Sequence, residues 1–201
     1  MKHIKPYRIF ESASTNFPTT KEEVIEVCER HRIKNYTIND DLSIDVDGNV
    51  DLSSRNLEYL PLRFNYIEGS FDCSNNELKT LEGCPQTVGG DFDCYSNELK
   101  SLEGSPKTVG VDFYCYKNEL KDLEHFPEVS GTIDIEDNIV YCLVYTFINK
   151  ADSFMIEDFN DYEIVRNRDT VMLDRLQTFI RDNDLEMPDL EEIKKEYKII
   201  E

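Results

Sequence analysis

The apolar positions in the middle of the chain recur at a fixed step. Three segments align: SFDCSNNELKTLEGCPQTVG from Ser70, DFDCYSNELKSLEGSPKTVG from Asp91 and DFYCYKNELKDLEHFPEVS from Asp112. Leu78, Leu99 and Leu120 repeat every 21 residues, as do Phe71, Phe92 and Phe113, Cys73, Cys94 and Cys115, Leu81, Leu102 and Leu123, and Pro85, Pro106 and Pro127. One unit earlier, Val50, Leu52, Leu57, Leu60 and Ile67 fill the apolar slots. One unit later the register shortens by a residue after Pro127, and Val129, Ile133, Ile135 and Asn138 fill them. Self-similarity at this period is the signature of a stacked array.

Within a unit, Asp91-Phe92-Asp93-Cys94-Tyr95 alternates polar and apolar, the pattern of a half-buried strand. Phe92 and Cys94 then face inward. Asn97 falls where an amide side chain can bond backbone groups at a turn, and Leu99 and Leu102 return to the core. Gly104 and Pro106 turn the chain, and Val109 packs before the next strand. No unit can bury its apolar side alone, so stacked units must share one core. Cysteine suits a tight inner slot, and Cys73, Cys94 and Cys115 read as a packing ladder rather than a metal or redox centre.

The flanks follow other patterns. Thr20-Lys21-Glu22-Glu23 fits a capping box that opens a helix to about His31, with Val24, Ile25 and Cys28 as its apolar stripe. Tyr36-Thr37-Ile38 reads as a strand. Ile44 to Leu52 reads as a hairpin around an Asp47-Gly48 turn. Ser43, Asp45, Asp47 and Gly48 also sit at the spacing of a calcium-binding loop, but its closing position falls on Ser54 rather than a glutamate, so the hairpin is preferred. Past Asn138, residues 140–149 and 170–181 look helical, with Leu173, Leu176, Phe179 and Ile180 on one face, and residues 189–197 suggest a last helix.

These residues predict an α/β repeat solenoid with parallel strands. An arm spans residues 1–16, an N-terminal cap 17–40, repeats 41–140 and a helical C-terminal cap 141–201. The positions Leu81, Val88, Phe92, Cys94, Asn97 and Leu99, with their equivalents, resemble the leucine-rich-repeat family, in its short bacterial type. The variant with Phe-x-Cys on the strand looks like repeat proteins of tailed bacteriophages. That resemblance covers about half of the chain and implies a parallel sheet on a concave face that binds a partner.

Alternation fixes what faces out. One outward column holds Asp51, Asp72, Asp93, Tyr114 and Asp134. A second holds Ser53, Ser74, Tyr95, Tyr116 and Glu136, and a third holds Ser70, Asp91, Asp112 and Thr132. Stacked carboxylates repel across strands, while clustered tyrosines are enriched in interfaces. Asp51, Asp72, Asp91, Asp93, Tyr95, Asp112, Tyr114, Tyr116, Asp134 and Glu136 are therefore the candidate partner-binding residues.

The charge sharpens this expectation. The chain has 201 residues, with 42 acidic and 22 basic residues and a formal charge of −20. Such a field disfavours direct contact with nucleic acid or anionic membranes and favours a protein partner with a basic surface, such as a nucleic-acid-binding or defence protein of a host. A DNA mimic is the stronger form of the same idea. The six cysteines form no CxxC pair, no secretory signal or membrane span is legible, and a reducing cytoplasm is expected.

Residues 1–8 are basic and aromatic, unlike the rest. Ile9-Phe10-Glu11-Ser12 resembles the site cut by the prohead protease of T-even-like phages, which implies an alternative role: an internal or structural virion protein processed between Glu11 and Ser12. An enzyme is not expected. The histidines are His3, His31 and His125, and no phosphate loop, nucleophile elbow or metal motif is present. Asp91 and Asp93 are expected on an open face without desolvation, where pKa tuning is not anticipated. No cofactor is called for, and oligomeric state is not legible.

Overall fold

The structure, a computed structural model, describes residues 17–145, 148 and 153–201. Residues 1–16, with the Glu11-Ser12 junction, lie outside the described residues, as does part of the helix expected over 140–149.

The repeats form a β-solenoid of about four turns, with two sheets rather than one. Sheet A holds, in spatial order, β1 (Tyr36–Ile38), β2 (Ile44–Val46), β4 (Phe64–Ile67), β6 (Thr87–Val88), β8 (Thr108–Val109) and β10 (Glu128–Val129). Sheet B holds β3 (Val50–Asp51), β5 (Phe71–Asp72), β7 (Phe92–Asp93), β9 (Phe113–Tyr114) and β11 (Ile133–Asp134). Every neighbouring pair in the two sheets is parallel except β1 with β2. The shortened register after Pro127 is present: Glu128 pairs with Thr108 and Ile133 with Phe113.

The expected hairpin from Ile44 to Leu52 does not form. β2 lies in sheet A and β3 in sheet B, so the Asp47-Gly48 turn, with Gly48 at φ 126°, is a corner between sheets. Each strand finds its partner one turn away: Val46 pairs with Ile67 and Val50 with Phe71. The antiparallel pairing is instead between β1 and β2.

Two devices make the corners. After each sheet B strand the backbone enters the left-handed region at Ser54, Asn75, Ser96, Lys117 and Asp137, with φ of 53–56°. From Asn76 onward an asparagine follows each of these and ties adjacent turns. The Asn118 side-chain oxygen accepts from the Leu99 N–H (3.0 Å), and its amide donates to the carbonyls of Cys94 and Cys115 (3.1 Å each). Asn76, Asn97 and Asn138 repeat the arrangement. At the other corner, the turns approach so closely that a Cβ on Gly110 would lie 2.2 Å from the Gly89 carbonyl oxygen. This close approach is why glycine sits there.

The core is the predicted ladder. Phe71, Phe92 and Phe113 are fully buried and stack with centroids 5.8 Å apart. Phe64 closes this stack edge-on at one end and Phe126 at the other. Cys73, Cys94 and Cys115 are buried free thiols beside them. A hydrogen bond with Cys84 and then burial hold Cys73 well above the ordinary thiol range, and burial with a hydrogen bond to Cys115 does the same for Cys94, so they stay protonated and inert.

At the N-terminal end, α1 (Lys21–His31) begins at Thr20, whose hydroxyl accepts from the Glu23 N–H. Glu23 returns chiefly to Thr19, accepting from its N–H (2.8 Å) and hydroxyl (3.0 Å). Val24 and Cys28 are buried, whereas Ile25 is 41% exposed and is not part of the inward stripe.

After the solenoid come α2 (Tyr141–Val144), α3 (Ser153–Asp161), β12 (Val165–Arg166), β13 (Thr170–Met172), α4 (Leu173–Asp182), α5 (Leu190–Glu196) and β14 (Lys198–Ile200). This region is mixed, not helical throughout. Residues 170–172, expected in a helix, are the central strand of a three-stranded sheet, because Val171 pairs with both Val165 and Ile199. Leu176, Phe179 and Ile180 of α4 are buried as expected. The region packs on the last turn: the Tyr197 hydroxyl donates to the Lys121 carbonyl (2.7 Å), the Asn160 amide to that of Leu123 (2.7 Å), and Arg168 pairs with buried Asp122 (2.9 Å).

Candidate functional site

Sheet B brings the first predicted column into register. Asp51, Asp72, Asp93, Tyr114 and Asp134 are successive cross-strand partners. Parallel strands lie about 4.8 Å apart, so these side chains are immediate neighbours.

The carboxylates are not equivalent. Asp51 accepts from the N–H and hydroxyl of Ser53, Asp72 from the N–H of Ser74, and Asp134 from the N–H of Glu136. Each closes a small turn on its own strand. Asp93 does not: among the described residues no donor reaches its carboxylate, although it is only partly exposed. Burial, then the charges of Asp72, Asp91 and Asp112, push its pKa up to about 6. The expectation that this face leaves aspartate pKa values untuned is therefore corrected at Asp93. The reason is local: strands to either side supply carboxylates and no cation.

The third column has a different role. The Asp91 N–H donates to Ser70 Oγ (3.0 Å), the Asp112 N–H to Asp91 Oδ1 (3.2 Å) and the Thr132 N–H to Asp112 Oδ1 (2.6 Å). Asp91 and Asp112 are thus ties between turns, and Asp112 also accepts from the Tyr114 hydroxyl (3.0 Å). Donation from Thr132 is the largest of the effects that hold Asp112 below the usual carboxylate range.

In the second column, Tyr95 and Tyr116 stack with centroids 4.5 Å apart and planes within 5°. Lys117 places its ammonium 5.8 Å from the Tyr116 ring centre. Ser74 of the same column is buried rather than presented to solvent, and its hydroxyl accepts from the Asn75 amide (3.2 Å). Glu136 is exposed at the end of the column and accepts from the Tyr141 hydroxyl (3.4 Å). Sheet B thus gathers Asp72, Asp93, Tyr95, Tyr114 and Tyr116 into one patch, with Asp51 at one edge and Asp134 and Glu136 at the other.

The distinction of Asp93 was not legible in the sequence: Asp134 is followed two positions on by Glu136 rather than serine, and still accepts from the Glu136 N–H.

The outer face of sheet A is unlike this. Its column is Asp45, Tyr66, Thr87, Thr108 and Glu128, with Thr108 and Thr87 hydroxyls bonded at 3.2 Å. A groove of about 460 Å³ runs between these strands and Glu157 of α3, and a second of about 620 Å³ adjoins it near His125 and Asn160. Of the other histidines, His31 ends α1, where burial and Arg55 depress its pKa, and His3 lies outside the described residues.

Among the described residues, no three acidic, cysteine or histidine side chains converge as metal ligands, and no helix is long and apolar enough to cross a membrane. No family model, curated protein or solved structure matches this chain.

Proposed function

We propose that this chain is a non-enzymatic protein-binding module whose sheet B face docks the basic surface of a protein partner. The observation that carries the reading is the in-register row Asp51, Asp72, Asp93, Tyr114 and Asp134 beside the Tyr95–Tyr116 stack. Carboxylates placed opposite one another cost stability, and the core does not need them, since Phe92 and Cys94 supply the burial on the other side of the same strand. A basic partner removes that cost on binding, and tyrosines at its centre contribute contact area with little conformational entropy to lose.

In finer form, the proposal is a leucine-rich-repeat array closed by helix-containing caps and encoded by a tailed phage. It would act in the host cytoplasm by occupying the basic groove of a nucleic-acid-binding or defence protein, with DNA mimicry as its extreme. The recurring leucines, the asparagine ladder and the formal charge of −20 support that form.

The test is affinity capture from bacterial lysate with the native chain and with a Asp72→Lys, Asp93→Lys, Tyr95→Ala, Tyr116→Ala variant. Asp91 and Asp112 are left intact because they hold the turns together. A basic protein retained by the first and lost from the second, with both folded by circular dichroism, supports the reading. Equal retention by both overturns it.

A further inference from the structure

The face is not uniformly acidic, and its centre differs chemically from its edges. Among the described residues, Asp93 is the one aspartate of its row without a hydrogen-bond donor, since Asp51, Asp72 and Asp134 each close a turn on their own strand. Next to it, two tyrosine rings lie parallel, and the chain's own Lys117 already sits over Tyr116 at cation–π distance. We infer that this centre is an arginine-selective subsite, in which a guanidinium from the partner forks onto the Asp93 carboxylate while its plane lies against Tyr95. The inference rests on the reading that sheet B is the docking face and specifies which basic side chain it takes.

The argument is one of matched geometry. A carboxylate with both oxygens free of donors accepts two parallel N–H bonds, and a planar guanidinium supplies them in a fixed fork. The same plane stacks on an aromatic ring, and its weak hydration makes partial burial tolerable. An ammonium offers a point charge, keeps its water more strongly and gains nothing from a flat ring beside the carboxylate. Lys117, whose ammonium lies 5.8 Å from the Tyr116 ring centre, shows that this aromatic pair already receives a cation. The flanking charges of Asp72, Asp91 and Asp112 add long-range attraction that does not discriminate between the two cations.

The experiment uses the full chain with blocked hexa-arginine and hexa-lysine peptides at pH 7.5 and low ionic strength, read by isothermal titration calorimetry. The inference expects hexa-arginine to bind at least tenfold more tightly. The preference should fall to about twofold or less in Asp93→Asn and in Tyr95→Leu, because both variants lose more affinity for hexa-arginine than for hexa-lysine, whereas Thr87→Val on sheet A should keep the native preference. Asp93→Asn is nearly isosteric and removes a repulsion, so it keeps the fold available for the test. Equal affinity of the native chain for the two peptides overturns the arginine subsite and leaves the basic-docking reading standing. Binding of neither peptide, or an arginine preference that persists in both variants, overturns the subsite; binding of neither also counts against the docking reading.

Discussion

Sheets A and B are made by the same turns, with the same parallel stacking and equally apolar inner faces, yet their outer faces differ. Sheet A presents Tyr66, Thr87 and Thr108 between single acidic residues at Asp45 and Glu128, and its threonine hydroxyls bond each other. Sheet B presents aspartates one strand apart, one of them held at a raised pKa, beside stacked tyrosines. Since sheet A shows that the array folds with a neutral outer stripe, the repulsive stripe on sheet B is not a requirement of the fold. Asp93, which closes no turn and ties no neighbouring strand among the described residues, is where a binding role is best sought.

That contrast can be broken most severely from inside. Phe92→Ala opens the centre of the phenylalanine stack and should cost about 3–5 kcal/mol, whereas Val88→Ala on the sheet A side, which removes less volume, should cost about 2 kcal/mol. Urea unfolding midpoints at constant slope would rank them. A reversed order would mean that sheet A, not sheet B, anchors the core.

The corners come next. Asn118→Ala leaves the Leu99 N–H and two carbonyls without their side-chain partner and should destabilise by about 3 kcal/mol. Gly110→Ala should cost a similar amount, about 3 kcal/mol, through collision with the Gly89 carbonyl. Thermal unfolding of the two variants tests whether the asparagine and glycine corners are equivalent supports. A loss under 1 kcal/mol for either, about the size of an ordinary surface change, would show that its corner relaxes.

On the outer faces the effects are smaller and opposite in sign. Asp93→Asn should stabilise the chain by up to about 1 kcal/mol at pH 7.5, because it removes a charge facing Asp72, Asp91 and Asp112. The sign follows from proton binding: the folded pKa of about 6 lies above the ordinary 3.8, so the folded state holds the proton more tightly. Ionised Asp93 therefore destabilises above pH 6. That penalty fades as pH falls from 6 toward 4, and the advantage of the asparagine variant should fade with it. A gain that stays constant between pH 7.5 and 4.5 would remove Asp93 titration as its cause. Thr87→Val on sheet A should change stability by less than about 0.5 kcal/mol and leave peptide binding unaltered. A binding defect in that variant would move the docking face to the other side of the solenoid.

Much of this was legible in the sequence because stacking copies one pattern. The 21-residue step placed Phe92, Cys94, Leu99 and Leu102 inside, and the position of Asn97 announced its backbone role. The second sheet was not legible, since a two-residue Thr-Val strand is too short to show alternation. The C-terminal sheet escaped for a related reason: Thr170 to Met172 runs directly into an amphipathic helix, and only Val165 and Ile199 reveal it as a strand. Among the candidate site residues, pattern alone could not separate Asp91 from Asp93, which differ by two positions and share an outward direction.

What the sequence determined by itself was the period, the inner residues and the excess of negative charge, because these depend on spacing along one chain. The tertiary structure alone decided that the Asp47-Gly48 turn is a corner, that Asp91 and Asp112 tie turns together, and that Asp93 stands without a donor. Those outcomes depend on which backbone N–H of the next turn arrives within hydrogen-bond reach, and that contact exists only once the turns have stacked.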